Sequence, residues 1–232
     1  MTSPISDKGK ISRRGFLKKS VLATAGAAAA SLGVEERILL ASTSTGPKSP
    51  EPGDHVMPQG KIGKVSISRL ICGGNLINGY AHSRDLAYVS DLMKHYFTDG
   101  KVIETLAICE RNGINTMVAN NKDGENTVRI LRKYRKEGGK IQWLAQVNPT
   151  PKDLWDNIQT AIDNGAVGAF IQGGIGDDWS RSRPDLLAET VAFIKQNGLI
   201  AGVAGHSLRV PQTCEEQRIN VDFYFKTLNS VN

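Results

Sequence analysis

Nowhere in the chain do about 18 apolar residues follow one another, so no segment is predicted to cross a bilayer as a helix. Cysteine is scarce. The three present, Cys72, Cys109 and Cys214, show neither a C-x-x-C spacing nor a Cys/His pattern that would hold zinc. Cys72 and Cys109 stand in apolar runs and are expected as buried core thiols rather than as a disulfide. A positively charged body is missing too, although the formal charge of +6 suggests one at first sight. Residues 1–30 carry six basic side chains (Lys8, Lys10, Arg13, Arg14, Lys18, Lys19) against the single acid Asp7, which leaves 23 basic and 22 acidic residues for the rest. A neutral body excludes a broad phosphate-binding surface, and with it nucleic acid as a partner. The charge run "RILRKYRKEGGK", residues 129–140, reads as the solvated face of an amphipathic helix. The glycine spacing of a dinucleotide-binding Rossmann turn is also wanting, because "ICGGNLING" has no G-x-G-x-x-G.

What is there begins with residues 1–33, which have the three parts of an export signal. A basic segment ends in Ser12-Arg13-Arg14-Gly15-Phe16-Leu17-Lys18, an alanine-rich apolar segment runs from Val21 to Ala30, and small residues then offer cleavage near Ala28–Ser31 or near Ala41–Ser42. The run Ser-Arg-Arg-x-Phe-Leu-Lys resembles a twin-arginine signal, with Arg13 and Arg14 as the pair. That resemblance implies the twin-arginine translocation machinery as a partner, export of an already folded chain, and a periplasmic or extracellular location. No cysteine follows the apolar segment, so a lipid anchor is not expected, and no permanent membrane anchor is. Residues 34–58 are expected as a low-complexity linker. Its latter part, "STSTGPKSPEPGDHVMP", is rich in Ser, Thr, Pro and Gly and includes a solvated His55.

From residue 59 to residue 232 one unit recurs: a short apolar run, a polar loop, a helical pattern, then a glycine. The punctuation reads "ERNGINTMVA", "KEGGKIQWLA", "DNGAVGAFIQ" and "QNGLIAGVAG", with glycine where a helix C-cap needs a left-handed residue. Val102, Leu106 and Cys109 form one apolar stripe; Leu154, Ile158, Ala161 and Ile162 form another; Leu187, Val191 and Ile194 form a third. Thr150-Pro151 supplies the N-cap and first-turn proline of the second. Strands are expected near 69–74, 114–119, 141–147, 166–172, 199–205 and 221–227. Their continuous apolar runs suit strands covered on both faces. Alternating strands and helices imply an α/β protein with a parallel sheet. The expectation is a (β/α)8 TIM-barrel type. Such a barrel takes about 250 residues, whereas residues 59–232 number 174. The barrel is therefore expected to be truncated after about six strands, with two βα units missing.

The stretches "KIGKVSISRLICGGN", "ERNGINTMVAN" and "GVAGHS" resemble the first, second and fifth strand regions of aldo/keto reductases, with a short hairpin ahead of the first strand. The resemblance covers most of residues 58–228. It implies a barrel, an NADP cofactor and a catalytic Asp, Tyr, Lys and His. The matching positions here hold Val118, Asp123, Gln146 and Gln172, and the nearest tyrosine in sequence, Tyr134, lies in a helix. The reductase reaction needs a phenol whose pKa is lowered by a neighbouring ammonium so that it hands a proton to a carbonyl. Glutamine does neither job. The residues therefore argue against NADP and the ordinary reductase reaction.

The expected strand ends carry Asn75, Asn120, Asn121, Gln146, Gln172, His206 and Lys226. In a barrel these ends build the active site. Carboxamides offer donors and acceptors together and suit a sugar-like or polyol ligand; equally, they cap loops. His206 is the candidate for acid/base work because its unperturbed pKa lies near neutrality. Asp177 and Asp178, in the loop "GGIGDDWSRSRP", could act as acid and base or hold a metal, or pair with Arg181 and Arg183. Trp179 beside them stacks on a sugar ring or packs. The leading expectation is an exported aldo/keto reductase-like barrel without the reductase tetrad, acting on or binding a sugar-like molecule. The alternatives are a metal-dependent sugar isomerase or epimerase using His206 with Asp177 or Asp178, and a non-catalytic secreted binding protein or gene fragment.

Overall fold

A computed structural model describes residues 56–75, 77–82, 86–121 and 125–228. The export signal with Arg13 and Arg14, the linker up to His55, and Asp123 lie outside the described residues. The first element is an antiparallel hairpin, β1 (Gln59–Ile62) and β2 (Val65–Ser68), with Ile62 opposite Val65. Its turn needs a left-handed residue, and Gly63 supplies it at φ 54°. Val65 and Ile67 are buried against the N-terminal end of the main sheet. Asn115 fixes the hairpin there: its Oδ1 accepts from the Ser68 N–H (2.9 Å), and its Nδ2 donates to the Ser66 carbonyl (3.0 Å).

The main sheet has five parallel strands in sequential order: β3 (Thr116–Asn120), β4 (Gln142–Val147), β5 (Gly168–Ile171), β6 (Ile200–Gly205) and β7 (Phe223–Lys226). Seven helices are described: α1 (Tyr88–Tyr96), α2 (Asp99–Arg111), α3 (Glu125–Lys136), α4 (Asp156–Asp163), α5 (Gly173–Ser182), α6 (Pro184–Gln196) and α7 (Arg209–Glu216). Successive side chains of a strand point to opposite faces, and here the faces divide cleanly. Met117, Ala119, Trp143, Ala145, Val147, Ala169, Ile171, Ala201 and Val203 join the helix-side core. Val118, Leu144, Phe170, Ile200, Ala204, Phe223 and Phe225 gather on the opposite, concave face with the hairpin. The helices supply the expected stripes: Val102 and Leu106 of α2, Ile158 and Ala161 of α4, and Leu187, Val191 and Ile194 of α6 are all buried.

The fold corrects the expected TIM barrel. The five strands make a half-barrel, and β3 and β7 each have only one strand neighbour in the sheet. The expected first strand, 69–74, contributes a single bridge from Cys72 to Met117. The reason is local. The Ser68 hydroxyl donates to the Leu70 carbonyl (2.6 Å), and the Asn78 N–H turns back to the Gly74 carbonyl (2.9 Å), so no run of residues is left to ladder with β3. Gly74 itself lies so close to Val118 and Ala119 that a Cβ would strike their backbone. Two helix starts also differ. Thr150 pairs with Asp153 instead of capping a helix, and α4 begins only at Asp156, where Asp153 Oδ1 accepts from the Trp155 and Asp156 N–H groups (3.1 Å each). The "GGIGDDWSRS" stretch, expected as a loop, is helix α5.

Candidate functional site

At the C-terminal ends of the parallel strands the concave face opens into a cleft of about 1280 Å³. Its floor is apolar: Val118, Phe170, Ala204 and Phe225 line it, with the Phe170 and Phe225 rings 4.5 Å apart. A band of carboxamides rises from the floor. Register places Asn120 beside Gln146, and Gln146 beside Phe170. Asn148 follows one residue after β4 and donates through Nδ2 to Asn120 Oδ1 (3.1 Å). Beside β3, Gly73, Gly74 and Asn75 form a wall, on which Asn75 Nδ2 donates to His82 Nε2 (3.0 Å).

The cleft residue held by a carboxylate is His206, directly after β6. Its Nδ1–H donates to Asp177 Oδ2 at 2.6 Å. Asp177 also accepts from the backbone N–H groups of His206 (2.9 Å) and Ser207 (3.0 Å) on Oδ1. Burial alone would raise the Asp177 carboxyl. The hydrogen bonds from Ser207, the His206 ring and the His206 backbone outweigh it and hold the group below its ordinary value. An ionised carboxylate only accepts, so the proton of the neutral imidazole sits on Nδ1 and the lone pair on Nε2.

Asp177 reaches His206 because α5 starts immediately after β5 and lies flat on β6. Gln172 caps that helix, its Oε1 accepting from the Ile175 N–H (3.1 Å). Gly176 permits the contact, since a Cβ there would collide with the Ala204 carbonyl. Gly173 lies under the His206 ring, where a Cβ would stand 3.2 Å from Cε1.

The sequence-based candidates divide accordingly. Asn75, Asn120, Gln146, Gln172 and His206 all line the cleft. Asn121 does not. It is buried, donates to the Asn157 carbonyl (2.5 Å) and accepts on its own carbonyl from Asn157 Nδ2 (2.9 Å), so it fastens the end of β3 to the start of α4. Lys226 turns its Nζ to the Thr227 carbonyl (2.5 Å) and is not among the lining residues. Asp178 is exposed and outside the cleft, so the two carboxylates do not act as a pair. Among the described residues no three His, Cys, Asp or Glu side chains gather to hold a metal. Trp179 borders the cleft but is only 4% exposed within the helix-side core, so packing claims it more than stacking. Tyr134 lies away from the cleft, where it donates to Glu110; burial, then that carboxylate, push its phenol up. Sequence reasoning missed Tyr80, His82, Asn148, Phe170 and Phe225, which also line the cleft. The alternation of β5 and β7 carried a signal for the two phenylalanines.

No protein-family model matches the chain, and no curated protein matches it in sequence.

Proposed function

We propose that this protein binds a hydroxy-carbonyl sugar in the cleft and moves the carbon-bound proton beside its carbonyl, with His206 as the general base. One observation carries the reading: the His206 ring lines an amide-rich cleft while its Nδ1 is held by Asp177 at 2.6 Å. That arrangement leaves Nε2 as the basic nitrogen. A proton taken there converts the ring to an imidazolium beside an ionised carboxylate, and the same nitrogen returns it to the ligand. The developing oxyanion calls for a preorganised N–H donor, and the Gln146 carboxamide at the end of β4, across β5 from His206, is the candidate. Asn120 and Asn148 offer paired donors and acceptors to hydroxyls, and the half-buried Phe225, backed by the buried Phe170, gives a surface for the C–H face of the sugar.

The nicotinamide chemistry of aldo/keto reductases is not carried into this proposal. Where that family has a lysine and a histidine, Gln146 lines the cleft and Gln172 caps α5. The twin-arginine-like leader supports export of the folded chain, and mutating Arg13 and Arg14 to lysine should retain the protein in the cytoplasm.

A thermal-shift panel of aldoses, ketoses, polyols and NADPH tests the binding. The expected result is a saturable upward shift with a hydroxy-carbonyl sugar, unaffected by chelator and lost in Gln146→Leu. A panel without any shift, or a saturable NADPH complex, overturns the reading.

A further inference from the structure

Two thiols meet behind the cleft wall. Cys72 is tied to β3 on either side of Met117: its N–H donates to the Thr116 carbonyl (3.0 Å), and its carbonyl accepts from the Val118 N–H (2.8 Å). Neighbours in register share a face, and Met117 is buried in the helix-side core. Cys72 packs against that same core. α2 covers this face through Val102 and Leu106, both fully buried, and Cys109 continues their stripe one turn later. The Cys109 carbonyl accepts from the Ile114 N–H (3.0 Å), so the helix turns into β3 at this point. The Cys72 and Cys109 thiols therefore face the same core from adjoining elements and are near enough to influence each other. Both are half-buried and remain accessible, whereas Cys214 is fully buried in α7.

We propose that Cys72 and Cys109 close to a disulfide in the exported protein, fastening the start of the Gly73–Asn75 cleft wall to the end of α2. Burial, then the adjacent Cys109, push the Cys72 thiol up to about 12. The same disulfide results whichever of the two thiols attacks first. Where Cys109 leads, its thiolate displaces one sulfur of a disulfide oxidant, such as glutathione disulfide, and a mixed disulfide forms. The Cys72 sulfur then loses its proton and attacks Cys109, expelling the second thiolate. Two protons and two electrons pass to the oxidant, which leaves as two thiols. Only the location of the oxidant rests on the export reading; the pairing rests on neither that reading nor the sugar.

The test uses the purified full chain, incubated first in dithiothreitol and then in glutathione disulfide. Thiols are counted in denaturant, the intact mass is measured and the peptides are mapped. The expected result is a single free thiol, Cys214, a mass about 2 Da lower than the reduced form, and a cross-linked peptide joining Cys72 to Cys109. The oxidised form should melt roughly 4–10 °C higher, because the cross-link restricts the unfolded chain. Cys72→Ser and Cys109→Ser should each abolish the internal cross-link. Three titratable thiols after prolonged oxidation, or a disulfide that includes Cys214, overturns the proposal; both readouts use the unmutated protein and do not depend on a variant folding.

Discussion

Replacing Asp177 by alanine removes one carboxylate and three hydrogen bonds at once. The backbone N–H groups of His206 and Ser207 lose their acceptor, as does the His206 ring. A hydrogen bond to a charged group contributes about 1.5–3 kcal/mol net when it is shielded. The His206 side chain is 54% exposed, so its share is screened, while Asp177 is only 17% exposed. Water can reach part of what is left. The two backbone bonds then dominate, and Asp177→Ala should cost about 2–4 kcal/mol. Asp177→Asn keeps one acceptor and should cost about half as much. The pH dependence separates charge from packing. The folded-state pKa of Asp177 lies below its ordinary value, so its contribution is complete above the unfolded aspartate pKa of about 3.9 and is lost as the pH falls through the lower folded value. Urea denaturation of the native protein and Asp177→Asn at pH 7, repeated at successively lower pH, measures this. The gap between the two should be present at pH 7 and narrow as the pH falls below about 4. A cost under about 0.5 kcal/mol at pH 7, or a cost that does not change with pH, refutes the reasoning.

Other expectations follow from the packing around the same site. Gly176→Val drives a side chain into the Ala204 carbonyl and should lift α5 from β6; thermal denaturation should show a loss of about 2–4 kcal/mol. Phe170→Ala empties the apolar floor, where the residue is 3% exposed. It should cost about 3 kcal/mol, the low end for a buried phenylalanine because the cleft above is open. Gln146→Leu should leave stability within about 1 kcal/mol, by the same denaturation assay, while removing the sugar-induced shift.

Most of the sheet was legible because each of its strands is a short apolar run that ends in a chemically distinct residue. Met117, Leu144, Phe170 and Val203 announce β3 to β6, and Asn120, Gln146, Gln172 and His206 stand at or just beyond their ends. The loss of the expected first strand was not legible. The apolar run at 69–74 looks like the others, but the turn from Gly74 to Asn78 prevents pairing beyond Cys72. Helix α5 was hidden by Gly173, Gly174 and Gly176, which read as a loop. Their small size serves the approach of the helix to β6 and the His206 ring, a tertiary fact no local pattern carries. The choice between Asp177 and Asp178 depended on the same docking, since successive helix residues point about 100° apart. Asn121 and Lys226 looked like site residues by position alone. Asn121 is held by Asn157, and strand alternation sends Lys226 with Tyr224 to the side opposite Phe223 and Phe225.

In the proposed reaction His206, oriented by Asp177, moves a carbon-bound proton of a sugar held in the cleft. Proton NMR in D2O tests it most directly, using the sugar that gives the saturable thermal shift. The native protein should replace the hydrogen beside the carbonyl with deuterium, seen as loss of its resonance. His206→Asn should slow that exchange by on the order of 10²–10⁴-fold while still binding the sugar. A saturated native protein that exchanges no such hydrogen, or a His206→Asn variant that exchanges it equally fast, contradicts the account.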